Sequence, residues 1–131
     1  VGASECRSCH ESQHAWLQSD PHSHAMETLG ADASNPECVR CHATAVRYDS
    51  SVSAMGSEDR RVEDYRVEEG VGCESCHGSG EAHIEAPSKT NILGLGESCP
   101  ECIIEGICTS CHTPKWDMKW DLTTRMEAIP H

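Results

Sequence analysis

Four times in this chain a pair of cysteines three positions apart is followed at once by a histidine: Cys6, Cys9 and His10; Cys38, Cys41 and His42; Cys73, Cys76 and His77; Cys108, Cys111 and His112. Two thiols at that spacing can form thioethers along one edge of a porphyrin, and the adjoining imidazole can then bind its iron; C-x-x-C-H is the attachment signature of c-type haem. A single copy could be half a zinc site or a redox dithiol. Zinc sites, however, pair their thiolates without a histidine following each pair so regularly. The spacing therefore predicts four haems c, with His10, His42, His77 and His112 as the proximal iron ligands.

Four irons leave four sixth positions, and five of the nine histidines remain to fill them: His14, His22, His24, His83 and His131. Imidazole on both faces favours low-potential electron transfer, because no position is left for a substrate, whereas an open sixth position would admit a small molecule. Met26 and Met126 are chemically competent ligands, but both sit on helical faces that read as core, where thioethers serve packing. Cys99 and Cys102 make a fifth pair, with Ile103 where a histidine would be needed. An extracytoplasmic compartment favours a disulfide between them, despite the strain of so tight a loop. The other readings are a degenerate haem site and a metal site shared between chains.

The elements that must position these residues are short. His10 leads into a helix-compatible run from Glu11 to Leu17, which places His14 on roughly the same face as His10. Asp20 and Pro21 form an N-cap and first helical position, and Gly30 a stop. Between them His22, Ala25, Met26 and Leu29 form one buried stripe, making His22 an inward ligand, while His24 falls outside with Glu27 and Thr28. Asn35 and Pro36 open a second turn that presents Cys38 to His42. From Tyr48 to Glu69 an extended loop or hairpin is expected, with alternation over Val62 to Val67. The stretch Pro87 to Gly96 reads as a linker. At the end Leu122, Met126 and Ile129 share a helical face.

Composition bounds the rest. The 131 residues make one domain, 1–131, but with three Trp, two Tyr, no Phe and 37% hydrophobic residues they supply a poor core. Small chains of this kind add metals or cofactors to reach stability, so the apoprotein is not expected to fold. The expected fold class is a mostly irregular chain with short α-helices and little β structure, wrapped around four stacked haems. A net charge of −12 excludes nucleic acid as a partner. No run of about 18 apolar residues forms a transmembrane segment. Val1, without a charged-then-apolar leader, reads as a mature N-terminus. Covalent haem and many cysteines point outside the cytoplasm.

The run His22 to Leu29 after Trp16 and Ser19, the run Gly70 to His83 (G-V-G-C-E-S-C-H-G-S-G-E-A-H), the segment Cys108 to Pro114 and the terminal Ile129, Pro130 and His131 resemble the tetrahaem cytochromes c that carry electrons from hydroxylamine oxidation. Related tetrahaem modules build extracellular cytochrome filaments. The resemblance implies distal ligation of the first haem by His83, of the third by His22 and of the fourth by His131. In the hydroxylamine-linked members the second haem, here on His42, lacks a protein sixth ligand. The surplus of histidines suggests that His14 or His24 completes it, with His14 preferred, from a neighbouring subunit in a head-to-tail homopolymer.

The expected function is electron transfer without catalysis, to redox partner proteins or an extracellular acceptor. An extracellular filament is favoured, and a soluble periplasmic carrier, or an enzyme acting on a small nitrogen compound at an open second haem, is the alternative.

Overall fold

The computed structural model describes residues 1–46, 61–94 and 101–129, without the side chains of 101 and 102. The expected pairing of Cys99 with Cys102 and the expected ligand His131 lie outside the described residues. The chain divides into two compact units, Val1–Leu93 and Gly94–His131.

The first unit is a series of short helices with one small ladder. Helix α1 is Ala3–Cys6 and α2 is Glu11–Ser19, with His10 at the N-cap. Asp20 then caps the next segment as its sequence suggests, its Oδ1 accepting from the His22 amide at 2.9 Å with Pro21 in the first turn. That segment, Pro21–Ser34, is a 3-10 helix broken at Gly30 (φ 52°, ψ −117°). Its tight winding has a local cause. The Thr28 hydroxyl donates to the Ala25 carbonyl at 2.7 Å, and the Ser23 hydroxyl to the Asp20 carbonyl at 3.0 Å, so side chains hold carbonyls three residues back. Helix α3, Pro36–His42, is capped by Asn35, whose Oδ1 accepts from the Glu37 amide at 3.0 Å.

Of the loop or hairpin expected from Tyr48 to Glu69, positions 48–60 lie outside the described residues; among the described residues β1 (Thr44–Ala45) pairs antiparallel with β2 (Tyr65–Arg66). Residues Val62–Asp64, expected to alternate as a strand, instead wind a 3-10 turn stitched by the Arg61 amide donating to Asp64 Oδ2 at 2.8 Å. The core gathers here. Val39, Ala43 and Tyr65 are buried, and Met26, Leu29, Ala45, Val62 and Val67 pack against them. The apolar stripe read from the sequence is therefore real, although half-buried. Helices α4 (Cys73–His77) and α5 (Glu81–Glu85) complete the unit.

The second unit holds α6 (Glu101–Thr109) and α7 (Leu122–Glu127), the latter capped by Asp121 accepting from the Thr124 amide at 2.9 Å. Leu122, Met126 and Ile129 are its half-buried positions. The fold is thus mostly helical with little β structure. Among the described residues the buried hydrophobic side chains are Ala3, Leu17, Val39, Ala43, Tyr65 and Ile104, far fewer than a self-sufficient core of this chain length needs.

Candidate functional site

Each C-x-x-C-H motif winds one helical turn, because its first cysteine opens or extends a helix. The His10 amide donates to the Cys6 carbonyl at 3.0 Å and the His112 amide to the Cys108 carbonyl at 3.0 Å, closing turns just beyond the helices that carry the first cysteines. The second and third motifs lie wholly within α3 and α4. On such a turn positions i, i+3 and i+4 share a face, so both sulfurs and the imidazole point the same way.

Backbone and carboxylate acceptors hold the imidazoles by Nδ1. His42 Nδ1 donates to the Ala25 carbonyl at 2.8 Å and lies 3.2 Å from Thr28 Oγ1. His77 Nδ1 donates to the Leu93 carbonyl at 2.7 Å, and the Leu93 amide returns a bond to the His77 carbonyl at 3.2 Å. His83 Nδ1 faces the Ser88 carbonyl at 3.0 Å and Asn91 Oδ1 at 3.1 Å. His22 Nδ1 meets Asp20 Oδ1 at 2.8 Å, and His112 Nδ1 meets Asp117 Oδ2 at 3.0 Å. Because carbonyl and carboxylate oxygens can only accept, Nδ1 carries the proton at His22, His42, His77 and His112, and Nε2 keeps a lone pair that could bind iron. This is the orientation that metal-ligating histidines adopt.

None of these acceptors was marked by sequence. The segment read as a linker after Pro87 instead folds back: Asn91 Nδ2 donates to the Ala82 and Ala86 carbonyls at 3.0 and 2.9 Å, and Leu93 reaches His77. The one available signal was the Asn91 amide, a side chain suited to bridging carbonyls.

The histidines left over from the motifs differ. The His83 ring stands 6.4 Å from the His10 ring, centroid to centroid, with planes 26° apart. His24 is exposed, as expected, but both its nitrogens are engaged: Nδ1 with Glu27 Oε1 at 3.0 Å and Nε2 donating to the Gln18 carbonyl at 3.0 Å. The Glu27 carboxylate, with the Gln18 carbonyl, raises the His24 pKa above its ordinary value. His14 is half-buried on α2.

The stretch Gly70 to His83 ties the first unit together. Gly78 (φ 75°) supplies a left-handed turn with no atom near a would-be Cβ. The close approach is at Gly70 (φ 61°), where a Cβ would stand 2.5 Å from the Ser23 carbonyl oxygen and 2.7 Å from that of His22. Beside it the Val71 amide donates to the His22 carbonyl at 2.9 Å. Buried Thr44 accepts from the Gly72 amide at 2.7 Å and donates to the Gly70 carbonyl at 3.0 Å, joining the exit of the second motif to the start of the third. Glu74, 4% exposed, accepts from the Gly2 and Gly80 amides at 3.0 and 2.8 Å and lies 3.3 Å from Arg66 Nη1. The first and third motifs come together, with Cys6 beside Cys73.

In the second unit the Trp120 ring stacks on His112 at 4.4 Å and 23°. Its indole Nε1 is buried without a hydrogen-bond partner, and a cleft beside it is lined by Thr109, His112, Pro114, Asp117, Met118 and Trp120. An orphaned donor, an imidazole and an apolar wall are what a haem with its propionates would complete. Two thiols and an imidazole per motif, the imidazole anchored through Nδ1 at His42, His77 and His112, fit haem c, and among the described residues no cluster of three or more His, Cys, Asp or Glu side chains could hold a bare metal ion.

The family model described as cytochrome c554 and c-prime matches residues 5–78, which span the first three motifs. Among curated proteins the chain is similar to cytochrome c-554 of Nitrosomonas europaea, 26% identical over 145 residues that cover 85% of this chain and 56% of the relative. The chain thus spans little more than half the length of that relative. No solved structure matches.

Proposed function

Since the chain belongs to the cytochrome c554 and c-prime family, we propose that it is an electron-transfer protein carrying one haem c on each of its four C-x-x-C-H turns. The observation that carries this reading is the common construction of the turns, with two sulfurs and one imidazole on a face and Nδ1 engaged at His42, His77 and His112. The haems supply reversible one-electron chemistry, and the chain holds them, chooses their axial ligands and sets their potentials by burial and charge. Both compact units then serve a single tetrahaem domain.

His10 and His83 are the axial pair of the first haem. Metal–imidazole bonds of about 2 Å on each face bring the ring centroids of one iron's two ligands to about 6 Å, and the observed 6.4 Å supports the pairing. His77 and His22 serve the third haem, with His22 backed by Asp20, and His112 and His131 the fourth. For the second haem His14 is the better candidate than His24, whose Nε2 is occupied by Gln18.

The comparisons favour a soluble extracytoplasmic carrier, working between redox partner proteins, over the extracellular filament and over an enzyme. In keeping with this, no helix among the described residues is long and apolar enough to cross a membrane. The test is a haem count by pyridine haemochrome and intact mass on protein matured in a periplasm, with electron microscopy of the same preparation. Four haems on a discrete particle are expected; fewer haems would end the tetrahaem reading, and fibres would restore the filament.

A further inference from the structure

The histidines of the motifs are not backed alike. His42 and His77 donate Nδ1–H to neutral carbonyls, those of Ala25 and Leu93. His112 donates to a carboxylate, Asp117 Oδ2, at 3.0 Å. The carboxylate is held in place: Arg125 Nη2 lies 3.5 Å from the same oxygen, and the Asp117 amide is bonded to the Thr113 carbonyl at 2.7 Å within the turn that follows the motif. Trp120, stacked on the other partner, prevents the imidazole from rotating away.

A negative charge on the Nδ1 side pulls that proton and gives the ring imidazolate character. Its Nε2 becomes a stronger donor, which favours ferric over ferrous iron. We infer that Asp117 is a positioning residue of the fourth motif, whose carboxylate lowers the potential of the haem carried by His112 below what a carbonyl-backed histidine would give. The inference rests on the proposed ligation of iron by His112. Arg125 shares the carboxylate and so moderates the effect without cancelling it, being about half-exposed (51%) and screened by water.

The test is a spectroelectrochemical titration of the holoprotein and three variants, with haem content measured on each. Asp117→Asn keeps the shape and an acceptor oxygen but removes the charge. It should raise one midpoint by about tenfold in the reduction equilibrium, which is about 59 mV for a one-electron couple, and leave the others in place. Glu127→Gln removes an equal charge from an exposed position on α7 and should change every equilibrium by less than about twofold. A fully haem-loaded Asp117→Asn protein whose midpoints all match the wild type, or which moves no further than Glu127→Gln, overturns the inference. His112→Gly separates the two levels: if it leaves all midpoints and the low-spin spectrum unchanged, His112 is not a ligand and the underlying reading fails instead.

Discussion

The His10 and His83 rings face each other with centroids 6.4 Å apart and planes 26° from parallel, one at the start of the chain and the other on α5. Under the pairing proposed above, one iron would be shared by the two rings. Replacing His83 by Gly should convert one haem of the set to a high-spin ferric centre, seen by electron paramagnetic resonance, and added imidazole should reverse it. A first haem that stays low-spin without added ligand would remove His83 from the assignment.

Gly70 is where the third motif passes against the 3-10 segment, with φ 61° and the Ser23 carbonyl oxygen 2.5 Å from a would-be Cβ. Left-handed backbone alone costs a non-glycine residue about 1–2 kcal/mol, and here backbone must also move. Gly70→Ala should lose at least about 2 kcal/mol in denaturant unfolding and should displace His22, which the Val71 amide holds by its carbonyl. Gly78→Ala, with open space around it, should lose only the conformational part.

Glu74 carries a pH dependence. Burial opposes its ionisation, but the Gly80 and Gly2 amides donate to it, and the net result holds its carboxyl below the ordinary glutamate value. A depressed folded-state pKa stabilises the fold above the unfolded value and loses that contribution as pH falls through the folded one. Glu74→Gln should therefore be less stable than wild type by about 2 kcal/mol at neutral pH, with the gap in thermal midpoint closing as the pH drops below 4.5.

Val39 is fully buried at the centre of the small core with Ala43 and Tyr65. Val39→Ala should cost about 1–3 kcal/mol, a large share of the stability of so small a core. Protein made without haem attachment should show no cooperative thermal transition by circular dichroism. A sharp transition in haem-free protein would mean that the polypeptide folds on its own side chains.

What could be read from the sequence was whatever depends on near neighbours. Cysteines at i and i+3 and histidine at i+4 share a face on any helical turn, so the four motifs and the side of the turn they share were legible from spacing. So were the caps at Asp20 and Asn35, which act two residues along. The stripe of Ala25, Met26 and Leu29 was legible by the same logic, although hydroxyl bonds within the segment wound it as a 3-10 helix.

What tertiary structure decided was the partner of each imidazole. Leu93 backs His77, Ala25 backs His42, and His83 stands opposite His10. Most of these pairings join residues far apart in the chain, often through a backbone carbonyl, which every residue possesses and no residue type advertises. Even the close pairing of His112 with Asp117 depends on how the turn after the fourth motif folds. The run Gly70 to His83 was recognisable as a haem motif by its letters, but the fold shows it as the brace of the first unit, because Gly70, Thr44 and Glu74 find their contacts only when the segments before it are in place.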